Sequence, residues 1–318
     1  MLAMKNHVQW PIRLSEKSRR LLFVVICLAP ILGYLFLTHM YPILFGFCIS
    51  FLTYNTVNPD LTTFAGLRNY LRLVADPLFR KAFVNSVKIV LYFVPSTIVI
   101  SMAIALGLNT LKRARSLATT VYFLPVVTSL VAVSIVWTNL YHPNYGLINQ
   151  TIKAILPYWG GSKWLGDPNT ALLAICIMLV WKSLGRSSVI ILAGLQEIPD
   201  VYLDAARVDG ASGWKLFRYI VLPLLRPVLA FVLVIELLAA LQQWVPIFVM
   251  TGGGGVTQLV GTVGGPQNST TTLGLLIYLK GVRELNMSYA SAMAFVLFFI
   301  TLGLSLLQLR LMRSTWEE

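Results

Sequence analysis

The stretch Asp204-Ala205-Ala206-Arg207-Val208-Asp209-Gly210-Ala211, followed by Ile220-Val221-Leu222-Pro223, decides the fold of this chain. It is polar and interrupted by glycine, yet it lies between two long apolar segments. It predicts a short amphipathic helix over Tyr202–Val208, a break at Gly210 and a second helical stretch over Trp214–Ile220. The proline that follows marks the start of the next helix. We expect this helix–break–helix segment to be rigid and to be moved by a partner outside the membrane.

The composition indicates a membrane protein. The chain has 318 residues, of which 57% are hydrophobic and 12% charged, and its mean hydropathy is +0.75. Soluble domains carry about 25% charged residues. The three cysteines, Cys27, Cys48 and Cys176, are too few and too scattered for a disulfide framework or a zinc site. We attribute the net charge of +13 to basic loops at the lipid headgroups rather than to nucleic-acid binding.

Hydropathy predicts an all-α, polytopic fold with about six transmembrane helices. Each predicted span contains an apolar run near the ~20 residues that a bilayer requires. The spans are Leu21–His39, Val84–Leu108, Ser116–Leu140, Thr170–Leu195, Val221–Met250 and Tyr289–Leu309. The first is too long for a signal peptide and lacks a small-x-small cleavage site, so we expect a retained helix. Its apolar character continues through Pro42–Leu52, which predicts an extension at the outer face.

The basic residues predict the orientation in the membrane. Lys112-Arg113-Ala114-Arg115 has no acidic neighbour, and cytoplasmic loops are enriched in lysine and arginine. We therefore expect both termini and the loop over Asp204–Pro223 to face the cytoplasm.

Shorter motifs elsewhere in the chain share a common resemblance. They are Phe64-Ala65-Gly66-Leu67-Arg68-Asn69-Tyr70, Phe123-Leu124-Pro125, Asn144-Tyr145-Gly146-Leu147-Ile148-Asn149, Trp164-Leu165-Gly166-Asp167-Pro168, Ala193-Gly194-Leu195-Gln196-Glu197-Ile198-Pro199 and Leu222-Pro223-Leu224-Leu225-Arg226-Pro227. Together with the EAA…G…I-x-LP spacing of the loop, they resemble the permease subunits of carbohydrate ATP-binding-cassette importers, of maltose and glycerol-phosphate type. The resemblance implies a type I permease fold in a bacterial inner membrane.

The resemblance also implies the partners. They are a second, homologous permease subunit, two cytoplasmic ATPases that bind ATP and Mg, and an extracytoplasmic binding protein, so this chain would carry no cofactor itself. We expect three parts: residues 1–83 with the cytoplasmic start, first helix and outer loop, residues 84–312 as a five-helix core, and a cytoplasmic tail at 313–318. Residues 197–223, within the core, are called the coupling loop below.

In the family such a loop docks the ATPase, and the matching positions here are Asp204, Ala205, Ala206, Asp209, Gly210, Ala211, Ile220, Leu222 and Pro223. The Asp204 carboxylate could accept a charge-assisted bond from an arginine of the partner. Small alanines suit a helix that sits in a groove. Two departures from the family pattern stand out: Asp204 replaces the usual glutamate, and Thr251–Gly265 is longer than the usual glycine-rich outer turn.

The sequence gives no support for an enzyme. Gly160-Gly161-Ser162-Lys163 and Gly252–Gly255 both fail the G-x-x-x-x-G-K-[ST] pattern of a nucleotide-binding loop. His7, His39 and His142 are scattered, so neither a catalytic triad nor a metal site is expected.

Charged residues within the spans predict the transport path. Lys182 and Arg186 share one helix face, with Ser183 and Ser187 adjacent, while Glu236 and Gln243 share a face of the fifth span. Ionisable groups at this depth usually face a cavity or another polar group. Counting from the inner ends, Lys182 and Glu236 both lie about 20 Å deep. They would meet across a central cavity or form a structural ion pair, whereas Arg186 has no obvious second acid.

The resemblance implies that the matching positions line a mid-membrane sugar site, as they do in some relatives. Here they are Lys182, Ser183, Arg186, Glu236 and Gln243, with Thr128 on the third span; Trp244, Trp181 and Tyr122 could stack on sugar rings. The spare positive charge favours a uronate-containing oligosaccharide of alginate or pectin type, since arginine binds carboxylates in a bidentate manner. A neutral oligosaccharide or glycerol-phosphate is the rival substrate.

Two other functional classes stay open. An ion-gradient transporter could use Glu236 as a proton carrier, but it would usually show internal repeats and broken helices, neither of which is clear in the sequence. A membrane enzyme acting on lipid-linked sugar would need paired acids or a metal cluster near one interface.

Overall fold

Long apolar segments fold into helices because a bilayer core has no water to satisfy exposed backbone groups. The structure, a computed structural model, describes residues 15–55, 58–111, 115–158, 161–253 and 263–313. Several predictions concern residues outside these ranges: the first part of the basic cluster (112–114), Gly160, most of the long outer turn (254–262) and the end of the tail (314–318).

The described residues form mainly helices. In chain order they are α1 Glu16–Leu35, α2 Tyr41–Ser50, α3 Arg68–Ala75, α4 Pro77–Thr110, α5 Arg115–Val127, α6 Leu130–Leu140, α7 Leu147–Ile155, α8 Ala171–Gln196, α9 Asp200–Val208, α10 Gly213–Leu216, α11 Leu222–Leu224, α12 Arg226–Leu241, α13 Val245–Phe248, α14 Leu273–Tyr278 and α15 Met287–Arg313. Two strands of two residues each, β1 Leu52–Thr53 and β2 Thr63–Phe64, pair antiparallel.

Five helical segments are long and apolar enough to cross a membrane. They are Glu16–Ser50, Pro77–Thr110, Ala171–Gln196, Arg226–Gly252 and Met287–Gln308. The first runs without a break through α1 and α2, joined by a π-helical turn over Phe36–Met40, and so includes the predicted outer extension. Helices α5 and α6, which bend by 96° at their junction, make a sixth crossing if the bent pair is counted as one span.

The third predicted span, Ser116–Leu140, is therefore not one continuous helix. The helix breaks at Thr128–Ser129, where Ser129 takes an extended conformation with φ −58° and ψ 133°. Pro125, one turn earlier, has no N–H to contribute to the helix. A broken helix is tolerated inside a membrane only where other groups satisfy the freed backbone carbonyls.

Helix α8 lies at the centre of the helix packing, and the first helical segment lies at its periphery. In the most apolar window of α8, 56% of the residues are buried, whereas none are buried in the corresponding window of Glu16–Ser50. Helix α4 packs along α8, α5 crosses it, and the first helix touches the rest mainly through α2 against α15. At Gly185 of α8 a Cβ atom would overlap the carbonyl oxygen of Tyr122. The absence of a side chain there allows α5 to cross close to α8.

The Phe64–Tyr70 motif holds the carboxyl end of the first helical segment, at α2. The Asn69 amide nitrogen donates to the carbonyls of Ser50 (2.8 Å) and Leu52 (3.0 Å), and the Tyr70 hydroxyl pairs with that of Ser50 (2.8 Å). Carbonyls at a helix end lack partners within the helix, so these bonds act as a C-terminal cap. This capping role of the motif is not apparent from the sequence.

The coupling loop matches the predicted pattern closely. The first predicted helix is α9, two residues longer at its start, and the second comprises α10 and a π-helical turn over Phe217–Val221. Gly210 has φ +81°, a left-handed conformation that disfavours other residues. The Ala211 amide donates to the Ala206 carbonyl (2.8 Å) and closes the turn.

Candidate functional site

One face of α8 carries three residues of the predicted transport path. Lys182, Ser183 and Arg186 line a cavity of about 190 Å³ together with Gln243, which follows α12. Val126, Leu130, Leu179 and Ala239 complete its wall. We call this the site cavity. Its polar groups come from helix α8 and the end of α12, two of the elements on either side of the coupling loop.

Arg186 and Glu236 form an ion pair beside this cavity. Arg186 Nη2 lies 2.8 Å from Glu236 Oε1, and the Ser187 hydroxyl donates to the same oxygen at 2.6 Å. The Glu236 side chain has no solvent exposure, whereas that of Arg186 is 40% exposed. Arg186 thus lines the cavity and at the same time pairs with a carboxylate that is fully buried.

The predicted pairing of Lys182 with Glu236 is wrong, and so is the expectation that Arg186 lacks an acid. The predicted depth of Glu236 was measured from a fifth span that starts at Val221, whereas α12 starts at Arg226. Glu236 is therefore about 15 Å from the start of α12 at Arg226, and Arg186 is equally far from the end of α8 at Gln196. The corrected depths match Arg186 to Glu236.

Lys182 instead satisfies the break between α5 and α6. Its ammonium donates to the carbonyls of Pro125 and Thr128, both at 2.9 Å. A cation at the carboxyl end of a helix also interacts favourably with the helix dipole. These bonds use two of the three N–H donors of the ammonium group. Lys182 therefore shapes the broken helix and still lines the site cavity.

The ion pair leaves two buried atoms unsatisfied. Glu236 Oε2 and Arg186 Nε have no hydrogen-bond partner among the described residues. Buried polar atoms without partners are uncommon in native proteins and call for an explanation. A ligand or water in the site cavity, or a rearrangement of the pair, would supply the missing bond.

A second, more apolar cavity lies in the bend of α5 and α6. It measures about 500 Å³ and is lined by Tyr122, Thr128, Trp137 and Trp181 among other residues. The rings of Trp137 and Trp181 are 5.7 Å apart. We call it the elbow cavity. It contains the predicted Thr128, together with two of the three aromatic residues considered for sugar stacking.

The structure does not bring Trp244 to either cavity. Its ring stacks on that of Tyr278 with centroids 4.4 Å apart and contacts Phe248 edge-on. Trp244 thus has packing partners of its own at the start of α13, even though Gln243 beside it lines the site cavity.

The coupling loop presents two different sides. Leu222, with Phe217 and Val221, packs against the carboxyl end of α8 and the amino end of α12, and Ile220 and Pro223 are half-buried. Several large apolar side chains remain exposed in the same region: Val201, Tyr202, Val208, Trp214 and Tyr219. An exposed apolar patch of this kind is typical of a surface that binds another protein.

Asp204 lies on the exposed side of the loop. Its carboxylate accepts a hydrogen bond from Arg207 at 2.7 Å, and both side chains are mostly exposed. Exposed pairs of this type contribute little to stability, about 0–1 kcal/mol. The Asp204 carboxylate can therefore exchange Arg207 for a partner at small cost, while Ala206 is buried against its own chain.

Comparison with known proteins agrees with this geometry. Residues 74–316 match the family described as binding-protein-dependent transport system inner membrane component. The sulfoquinovosyl glycerol transport permease SmoG of Agrobacterium fabrum is 31% identical over 92% of this chain and 91% of its own. The lactose transport permease LacF of Rhizobium radiobacter is 33% identical over 88% of this chain and 90% of its own.

A solved structure supports the fold. A chain of a bacterial alginate ABC transporter, crystallised with an alginate pentasaccharide-bound periplasmic protein, superposes with a TM-score of 0.75. It is 22% identical, and the match covers 93% of this chain and 96% of that one.

Proposed function

This chain belongs to the family of binding-protein-dependent transport system inner membrane components, and we propose that it takes part in the import of an acidic, uronate-containing oligosaccharide of alginate or pectin type. As a member of this family it is an inner-membrane permease subunit of a sugar ABC importer and not an enzyme, because the ATPase is a separate subunit. The ion-gradient alternative is set aside for the same reason. The relatives named above carry different substrates, so the choice of sugar has to come from the site.

The charges around the site cavity support an acidic substrate. Lys182 and Arg186 line the site cavity and Glu236 pairs with Arg186 beside it, so these three groups carry one net positive charge. The exposed part of the Arg186 guanidinium can bind a substrate carboxylate while Nη2 stays on Glu236. In a dry cavity such a bond is stronger than in water. The aromatic rings of the elbow cavity, next to Thr128, would accommodate the apolar faces of the sugar rings.

The test is uptake by the reconstituted importer with Arg186→Gln, alone and combined with Glu236→Gln. The double variant removes the buried carboxylate together with the cation that pairs with it. A charge-assisted bond contributes about 1.5–3 kcal/mol, so we expect uptake of an oligogalacturonate to fall by about tenfold or more in both variants. Maltotriose uptake by the double variant should be unaffected, and Arg310→Gln, at an exposed position far along α15, serves as control.

The comparison of substrates decides between the rivals. Equal loss of acidic and neutral sugar in both variants would remove the argument for an acidic substrate, since the defect would then be structural. Preferred uptake of sn-glycerol 3-phosphate over the oligogalacturonate would replace the uronate with the phosphate rival.

For the partners, we propose a complex with a second permease subunit, two ATPases and an extracytoplasmic binding protein, working by alternating access. The exposed apolar side of the coupling loop would dock the ATPase, with Asp204 offering its carboxylate to the partner. Since the other side of the loop packs on α8 and α12, movement of the ATPase would reach the helices that carry Arg186 and Glu236.

Replacement of Gly210 tests this coupling. A Cβ atom at Gly210 would meet nothing within 4 Å, so only its φ of +81° resists substitution. We expect Gly210→Val to distort the turn and abolish ATPase stimulation by the loaded binding protein, whereas Gly210→Asn should keep most of it, because asparagine tolerates this conformation. Full stimulation in Gly210→Val would contradict the role of the loop.

A further inference from the structure

A groove lies between α4, near its start, and the segment that leads into α8. It has a volume of about 410 Å³, and its polar lining includes Lys81, Lys88, Tyr92, Asn169 and Ser269. With the amino terminus inside, as predicted, this is the outer end of α4. The groove shares no lining residue with the site cavity.

The two lysines of the groove differ in what they bind. They are seven positions apart, which is close to two helical turns, so both lie on one face of α4. Lys81 Nζ donates to the carbonyl of Gln267 at 2.5 Å. Lys88 makes no hydrogen bond or ion pair within the described part of the chain, although it lies within a transmembrane helix.

The depth of Lys88 makes an unpaired ammonium costly. Helix α4 has 34 residues and is about 51 Å long, against a hydrocarbon core of about 30 Å. If the hydrocarbon core is centred on α4, it begins about 10 Å from the helix start, so Lys88, about 16 Å from that start, lies just inside it. Lysine side chains at this depth reach for polar groups at the interface. The Lys88 ammonium is thus placed to bind an anion.

The opposite wall of the groove holds an unsatisfied donor. The Ser269 Oγ atom is buried and has no hydrogen-bond partner among the described residues. It belongs to a turn in which Gln267 and Asn268 have positive φ angles of 55° and 56°. Lys81 and Asn85 hold this turn through the carbonyls of Gln267, Asn268 and Thr271. The wall is therefore fixed by bonds to α4 itself.

We propose that this groove binds an anionic group, a carboxylate or a phosphate, between Lys88 and Ser269. The group comes either from an acidic sugar on its way to the site cavity or from an anionic phospholipid headgroup. The proposal stands apart from the substrate proposed above, because the lipid source does not depend on it.

The experiment uses the assembled importer with Lys88→Gln, Lys88→Arg and Ser269→Ala. Lys163→Gln, an exposed lysine outside the groove, is the matched control. In one arm, native mass spectrometry counts phosphatidylglycerol retained from nanodiscs that contain it in a phosphatidylcholine background. In the other arm, the half-saturating concentration of an oligogalacturonate is measured by ATPase stimulation in phosphatidylcholine alone.

Loss of one phosphatidylglycerol per copy of this chain in Lys88→Gln, with retention in Lys88→Arg, would establish the lipid source. A severalfold rise in half-saturating concentration, with the lipid count unchanged, would establish the sugar source. Ser269→Ala should move the same readout in the same direction. If Lys88→Gln matches Lys163→Gln in both arms, the groove is not an anion site.

Discussion

Glu236 is a buried carboxylate that depends on Arg186. Its side chain has no exposure, one oxygen is shared by Arg186 and Ser187, and the other has no partner among the described residues. Removing one member of a buried pair costs far more than the pair contributes, since the remaining charge loses its compensation. The two residues are not equivalent in this respect, because Arg186 is 40% exposed.

This asymmetry predicts unequal losses of stability. Arg186→Leu strands the carboxylate, and we expect it to lower the free energy of unfolding by about 3–5 kcal/mol. Glu236→Leu strands a cation that can reach the site cavity, so its loss should be smaller. The double leucine variant should recover most of the stability. Thermal unfolding of the purified complex measures all three, and a larger loss for Glu236→Leu than for Arg186→Leu would contradict the burial argument.

The sequence alone placed both charges in the membrane but paired them wrongly. The error arose because the fifth span was predicted to start five residues too early. Lys182 and Arg186 are about one helical turn apart, so this shift matched the depth of Glu236 to Lys182 instead of Arg186. Hydropathy does not mark that start, because Val221–Leu225 is as apolar as the helix that follows. The role of Lys182 was also hidden, since it depends on a helix break that the sequence does not show clearly.

Among the elements, the crossing of α5 over α8 determines the shape of both cavities. Pro125 and the residues after it read as one apolar run, and proline is common enough in membrane helices that it does not by itself predict a bend of 96°. The break is possible because Lys182 of α8 binds the freed carbonyls. Tertiary contact thus decides a feature that local sequence leaves open.

The close approach of α5 to α8 at Gly185 can be tested by replacing Gly185 with alanine. The control is the same replacement at a glycine whose added Cβ would contact no other atom. Gly185→Ala would push a methyl group into the backbone of Tyr122 and Phe123, which cannot rotate away as a side chain could. We expect a loss of about 1–3 kcal/mol in unfolding free energy and reduced transport. Gly107→Ala in α4 meets no atom within 4 Å and should be neutral or slightly stabilising.

The readout is thermal unfolding of the complex together with uptake of substrate. Unchanged stability in Gly185→Ala would mean that α5 and α8 separate without cost, and the bend would then not depend on their contact.

For the whole molecule, the orientation of the coupling loop depends on whether α5 and α6 together cross the membrane. If they cross, the connection before α8 and the loop between β1 and β2 face the same outer side, and the coupling loop faces the cytoplasm. If the bent pair instead enters and leaves on one side, every later segment is inverted. The ATPase partner proposed for the coupling loop requires the crossing.

Labelling of single cysteines separates these arrangements. The free cysteines Cys27, Cys48 and Cys176 are first replaced by alanine, and cysteine is then introduced at Leu61, Lys163 or Val208, which are all exposed. With the amino terminus inside, as the basic residues predict, an impermeant maleimide should label Leu61→Cys and Lys163→Cys in spheroplasts, and Val208→Cys only after permeabilisation. Labelling of Leu61→Cys and Val208→Cys without Lys163→Cys would mean that the bent pair does not cross. The coupling loop would then lie outside the cell, and the proposed docking of an ATPase would be impossible.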